Sequence, residues 1–274
     1  MQIQTLNRES AQAWLHSVVR QHLASNARRY DRSCYTPDLG RQCNALGIHV
    51  DLKPEEGKVV ELSEDWLLLK TGRASFFVAA RSLLAFQPAL GDQVRITPYA
   101  RRRFDGTRLD APIQERYGDV VFDVFKLGER VSPLPIDKSA LRSPHLLALI
   151  EQVEQLSAPD RYRTLAQLLL DAGGDSPRVD YRDVDDKDLG RIAPALRFSV
   201  QTTKHRGHLD IRYNRGADWY DLYLIEAGSL DEVQARTGVY FNELAVVIAS
   251  LIDDGSWLLA KVEVLQAARQ RRAA

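Results

Sequence analysis

Trp14, Val18 and His22 recur every fourth position, with Leu15, Val19 and Leu23 beside them. A repeat near 3.6 residues gathers these side chains into one stripe, so the spacing predicts a single amphipathic helix over 8–30. Asn7 stands where a helix cap is needed, and Glu9 suits the positive helix start. From about residue 46 the period falls to two. Ile48, Val50 and Leu52 alternate; Pro54 and Gly57 interrupt; Val60 and Leu62 alternate again; "DWLLLK", "SFFVAA" and "QVRI" follow. Short strands at close spacing, punctuated by "TGR" and by Gly91-Asp92, predict a small curled antiparallel sheet or barrel. Gly91 is expected to supply the positive φ of its turn. "RSLLAF" reads as one helical turn and "DVVFDVF", 119–125, as a further strand.

Helical periodicity returns after "GERVSPLPIDKS", a polar, proline-containing segment that reads as the linker. Ser143-Pro144 supplies a cap and a first-turn proline, and Leu146, Leu149, Ile150, Val153 and Leu156 form the stripe. "SAPD" ends that helix, and "RYRTLAQLLLDAGG" forms a second, stopped by Gly173 and Gly174. Residues 175–190 are acidic and read as loop. "HLDIRY", "NRG" and "DWYDLYLIEAG" make a β-hairpin signal. "GSLDEVQARTG" reads as a short helix, "YFNELAVVIASLIDDG" as an apolar helix, "WLLAKVEVL" as a strand and "QAARQRRAA" as a basic tail. The expected fold is α+β: an N-terminal helical segment, 1–45; a small antiparallel β-barrel-like domain, 46–127; and an α+β domain, 140–274, in which a helical hairpin packs with a β-hairpin-and-helix unit.

The 274 residues suffice for one large or two small domains. Lys and Arg number 37 and Asp and Glu 37, which argues against a protein that coats DNA without specificity but leaves room for a local basic patch. Arginines outnumber lysines 29 to 8, which lowers the significance of any one arginine run. Cys34 and Cys43 fit neither a zinc spacing nor a disulfide framework. No apolar run approaches membrane-spanning length, and "MQIQTLNRES" lacks the build of a signal peptide, so a cytoplasmic protein without membrane contact is expected.

The acidic stretch "DYRDVDDKDLGR" fails as a calcium loop, because Asp188 and Pro194 stand where glycine and glutamate are required. His205 and His208 flank Gly207, which opposes a helix, and no third ligand is evident; His16 and His22 read as structural. No nucleophile elbow and no glycine-rich phosphate cradle occurs. No catalytic residue, metal site or cofactor is therefore assigned, and the protein is expected not to be an enzyme. What remains is "TPYARRRFDGTRLD", 97–110. There Tyr99 and Phe104 are candidates to stack on unpaired bases, with Arg101, Arg102, Arg103 and Arg108 as candidates for phosphate contact. The other reading is a solvated turn, its charge partly offset by Asp105 and Asp110. On the later hairpin, alternation sets Tyr220 with Leu222 and Leu224, and Trp219 with Tyr223 and Ile225. One face reads as core and the other as further core or as aromatic interface surface.

"GKVVELSEDWLLLKTGRASFFVAARSLLAFQPALGDQVRITPY", 57–99, resembles the KfrB domain of conjugative plasmids and some plasmid relaxases: a Gly-x-Val-Val strand, a Gly-Arg turn, a strand ending before Arg-Ser-Leu and a Gly-Asp turn into Val-x-Ile. The resemblance implies a mobile-element accessory protein, without catalysis, acting in maintenance or transfer through nucleic acid or a DNA-bound partner. The matching positions are Gly57, Gly72, Arg73, Arg81, Gly91 and Asp92, most of them architectural in character. The arginine run lies past the family's usual ending and inherits no role. "WYDLYLI" followed by an alanine-rich apolar helix is similar in pattern to small plasmid proteins that block host restriction. That implies an alternative, a protein-binding inhibitor of a host defence enzyme. Neither resemblance specifies an oligomeric state.

Overall fold

The computed structural model describes residues 6–126, 128–185, 187–229 and 232–268. The fold is mixed α+β. The chain divides into two compact units, one of residues up to Ala100 with the chain from Leu258 onward, the other Arg101–Trp257.

In the first unit, α1 (Arg8–Val18) begins at Asn7, whose side chain accepts from the Ser10 amide while the Ser10 hydroxyl accepts from the Asn7 amide. It buries Ala11, Leu15 and Val19, and tightens into a 3₁₀ turn that ends at His22. The helix predicted over 8–30 is therefore too long. Past Leu23 the segment "ASNARRY" offers no apolar stripe, and a helix without a buried face is not held in water. The chain instead extends into β1 (Asp31–Tyr35), which buries Cys34 and Tyr35 and pairs in parallel with β4 (Ser75–Ala80). The alternation at 48–52 forms no strand, and Val50 is exposed there.

β1 and β4 join β2 (Glu55–Leu62), β3 (Trp66–Lys70), β5 (Gln93–Thr97) and β13 (Lys261–Gln266) in a six-stranded sheet of order β1-β4-β3-β2-β5-β13. The barrel-like expectation is corrected to an open sheet. No β1–β13 ladder occurs among the described residues; at the place where it would close, the Tyr35 hydroxyl donates to the Leu258 carbonyl at 2.7 Å and accepts from the Tyr99 amide at 3.2 Å. "WLLAKVEVL", read along the sequence with the later domain, supplies β13 to this sheet by antiparallel pairing with β5. The basic tail from Arg269 lies outside the described residues.

The positions that carry the KfrB resemblance shape the backbone. A Cβ on Gly57 would lie 2.3 Å from the Lys70 carbonyl oxygen across the β2–β3 pair, and Gly91 has φ +93°. Asp92 accepts from the Ala89 and Ala268 amides, and Arg81 donates to the Ser63 carbonyl.

The second unit is a five-stranded antiparallel sheet of order β12-β11-β10-β9-β8: β8 (Val179–Arg182), β9 (Ala195–Gln201), β10 (Arg206–Asn214), β11 (Trp219–Glu226) and β12 (Glu232–Val239). Three helices cover one face: α2 (Pro144–Gln155), α3 (Leu165–Ala172) and α4 (Phe241–Ile252). Ser143 caps α2 with Pro144 in its first turn; Thr164 and Gln167 cap α3 reciprocally. Leu146, Leu149, Ile150 and Val153 of α2 meet Leu196, Phe198, Leu209, Ile211, Leu222 and Leu224 in one apolar core. The short helix predicted at 228–238 is strand β12, whose side chains are mostly exposed; ladder bonds to β11 replace the apolar stripe that a helix there would need. The segment read as a linker is packed in this unit: Leu134 is buried and its amide donates to Glu154 at 2.9 Å. Apart from the sheet, β6 (Ile113–Tyr117) and β7 (Val120–Val124) form a two-stranded hairpin with exposed Tyr117, Val120, Val121 and Phe122. Among the described residues no helix is long and apolar enough to cross a membrane.

Candidate nucleic-acid interface

The arginine run turns inward. Arg101 is 4% exposed, and its guanidinium carbon lies 4.8 Å from the centroid of the Tyr162 ring. Arg102 reaches the Gly174 carbonyl at 3.4 Å and comes within 3.7 Å of Asp171. Arg103 donates to the carbonyls of Arg108 at 2.7 Å, Leu109 at 2.9 Å and Ala111 at 3.4 Å. Arg108 grips Asp110 through Nε and Nη2, both at 2.8 Å. Phe104 is half-buried against the apolar core, and Tyr99, half-buried, belongs to the first unit. Five donors in a rigid fork make arginine the side chain able to satisfy several loop carbonyls at once. Each guanidinium of the set thus has a protein partner. Arg101 is buried, while Tyr99, Arg102, Arg103, Phe104 and Arg108 stay partly exposed.

A different set of arginines converges on the second unit's sheet. Alternation sends Leu196, Phe198 and Val200 of β9, Leu209 and Ile211 of β10, and Tyr220, Leu222 and Leu224 of β11 toward the helices. The opposite face then carries Arg197 and Ser199 on β9; His208, Asp210, Arg212 and Asn214 on β10; Trp219, Asp221 and Tyr223 on β11; and Asp180 and Arg182 on β8. Asp210 is buried at its centre. Arg197 binds it through Nε at 2.6 Å and Nη2 at 2.9 Å, and Arg212 through Nη2 at 3.1 Å. Burial works against ionisation of Asp210, but the two guanidiniums outweigh it and hold the carboxyl below the usual aspartate range. Arg212 also bonds Glu232 at 2.9 Å and lies 4.0 Å from the centroid of the Tyr223 ring, a cation–π stack. Burial, then the charges of Arg212 and Arg197, push the Arg182 guanidinium below its usual range.

Nε of Arg212, Nε1 of Trp219 and Nδ1 of His208 are all buried without a hydrogen-bond partner among the described residues. The first two are donors only. A buried donor left unpaired costs about 1–3 kcal/mol, so these groups mark where the polar network of this face is least satisfied by protein atoms. Three recesses run along the face: about 600 Å³ beside Arg178, Arg206 and His208; about 250 Å³ beside Arg182, Arg197 and Asp210; and about 790 Å³ beside Arg191, Arg212, Arg215 and Tyr223. At roughly 3.3 Å per residue, His208 to Asn214 alone spans about 20 Å. Arg182, Arg197 and Arg212 stand with Asp180, Asp210, Asp221 and Glu232; Arg178, Arg191, Arg206 and Arg215 line the recesses around the rim.

The aromatic part of this face was legible, since alternation alone set Trp219 with Tyr223. The arginines were missed because β8 and β9 were not recognised, although Leu196, Phe198 and Val200 carry a period of two. Asp183, from the acidic stretch considered for calcium, accepts from the amides of Arg142 and Ser143 at 2.9 Å, tying down the start of α2. No protein-family model, curated protein or solved structure matches this chain.

Proposed function

We propose that the second unit binds single-stranded nucleic acid across the open face of its five-stranded sheet. We further propose that the chain is a non-enzymatic, cytoplasmic accessory protein of a plasmid or integrated mobile element, acting in maintenance or transfer. The observation that carries the binding is the set of rim arginines, Arg178, Arg191, Arg206 and Arg215, that line recesses along the sheet face carrying Trp219 and Tyr223. Rim guanidiniums pair with phosphate oxygens, and Tyr223 and Trp219 supply ring faces for unpaired bases. The mobile-element setting is supported by the likeness of residues 57–99 to the KfrB domain.

The test is fluorescence anisotropy with labelled single- and double-stranded DNA across a salt series, using wild type and an Arg178→Gln/Arg191→Gln/Arg215→Gln variant. The variant is expected to bind single strands more weakly. Its log–log salt slope should be shallower by about one unit for each phosphate that is no longer neutralised. Equal slopes, or no binding by wild type, reject the reading.

A second reading, an inhibitor of a host defence enzyme, is favoured by the β6–β7 hairpin. A two-stranded hairpin is marginal alone in water, and this one exposes Tyr117, Val120, Val121 and Phe122. Salt-tolerant binding of a purified restriction enzyme, abolished by Val120→Thr/Phe122→Thr, would favour it over nucleic acid.

A further inference from the structure

The recess at the β9–β10 end of the face differs from the other two in its lining: no carboxylate of the described residues lines it, whereas Asp180 and Asp210 line the middle recess and Asp221 the far one. In the middle recess Arg197 is held by Asp210, and in the far one Arg212 is shared between Asp210 and Glu232. At this end, Arg178 and Arg206 line the cavity with neither guanidinium bonded to a protein group among the described residues. His208, two residues along β10 from Arg206, sits opposite Ser199 of β9 in register, with its Nδ1 buried and unpartnered among the described residues. The Arg178 amide donates to the Ser199 hydroxyl oxygen at 2.8 Å, which ties the segment before β8 to the rim. Gly207 brings bare backbone to the wall. Its φ is +151°, and a Cβ there would lie 2.0 Å from the Ile225 carbonyl oxygen, so no other residue fits without separating β10 from β11.

Two uncompensated guanidiniums facing one cavity match a dianion better than a singly charged carboxylate, and their planar forks suit phosphate oxygens. The volume, about 600 Å³, lies within the range of small-ligand sites, roughly 300–1,000 Å³, and exceeds what a bare phosphate fills. Val200 and Ala227 add apolar lining for an attached sugar or base. We propose that this recess is a phosphate-monoester site that takes a nucleotide by its terminal phosphate, with Arg178 and Arg206 as the charge clamp and His208 and Ser199 as orienting groups. The monoester belongs either to the end of a nucleic-acid strand or to a free nucleotide. The strand form rests on the sheet-face reading above; the phosphate site does not.

The experiment compares 5′-phosphorylated, 3′-phosphorylated and unphosphorylated hexathymidylate, with thymidine monophosphate as a separate titrant, by calorimetry on the full chain. Wild type and Arg178→Gln/Arg206→Gln are both tested; the two arginines are exposed, and thermal melts check that the variant stays folded. One phosphorylated oligomer is expected to bind about tenfold tighter than the unphosphorylated one, the ratio that one or two charge-assisted hydrogen bonds give. The double variant is expected to equalise the two. Binding of the monophosphate alone, lost in the double variant, with no oligomer binding, assigns the site to a free nucleotide and rejects the sheet-face reading while this one stands. Oligomer binding indifferent to phosphorylation and no monophosphate binding overturns the site and leaves the sheet face intact. So does a phosphate preference that survives in the double variant. No binding of any titrant overturns both.

Discussion

Asp171 accepts a hydrogen bond from Nη1 of Arg163 at 3.0 Å, on a guanidinium whose side chain is 1% exposed. Asp160 and Asp253 take the other two sides of that guanidinium, and the Trp257 ring covers it with its centroid 3.8 Å from the central carbon. Arg102 of the arginine run approaches the same Asp171. One buried cation thus joins the turn before α3, the end of α3 and the residue that follows α4.

Removing that cation leaves several carboxylates without their shared partner. Arg163→Ala is expected to cost about 3–5 kcal/mol, the range for breaking a buried pair from one side. Arg163→Lys is expected to recover little, because an ammonium cannot present three edges to three carboxylates. Chemical denaturation of both variants checks this. A loss under about 1 kcal/mol would show that solvent replaces the cation without difficulty.

Arg103→Ala is expected to loosen the loop from Arg101 to Ala111, since it strips donors from the carbonyls of Arg108, Leu109 and Ala111. The cost should be about 1–3 kcal/mol. Hydrogen exchange at the Leu109 amide, which donates to the Arg101 carbonyl at 2.8 Å, is the local readout. Unchanged protection there would place the loop's stability elsewhere.

On α4 the two sides of one turn should respond oppositely. Ile248 is fully buried, and Ile248→Ala is expected to cost roughly 2–5 kcal/mol. Val246 is 60% exposed, and Val246→Ala should stay within about 0.5 kcal/mol of wild type. Similar losses for both in thermal melts would mean that Val246 is covered in solution.

Asp210 makes stability depend on pH at the acid end. Its folded-state carboxyl is held below the ordinary aspartate value of about 3.9, so its stabilising contribution is complete above that value and is lost as pH falls below it. Wild-type melting temperature is expected to drop from about pH 4 downward. Asp210→Asn should start lower at neutral pH and show a flatter acid limb. Parallel limbs for the two proteins would assign acid sensitivity to other carboxylates.

The caps at Asn7 and Ser143, the turn at Gly91, the stripes of α2 and α4, and the alternation that sets Trp219 with Tyr223 were all determined by the sequence. Each is decided within a few residues, by a side chain that satisfies its own backbone or by a period that selects one face. Which strands become neighbours is not local. β1 lies parallel to β4, β13 pairs with β5 although the whole second unit separates them along the chain, and β12 is a strand because β11 offers it an edge. The arginine run followed the same rule. Its sequence advertises charge, but whether a guanidinium meets water, a phosphate or a carbonyl depends on what the fold brings within reach, and here the fold brought the carbonyls of Arg108, Leu109 and Ala111, the Asp110 and Asp171 carboxylates and the Tyr162 ring. The arginines that gather on the sheet face, from residues 178 to 215, come together only once four strands are paired, because contact between them is a property of register and not of distance along the chain.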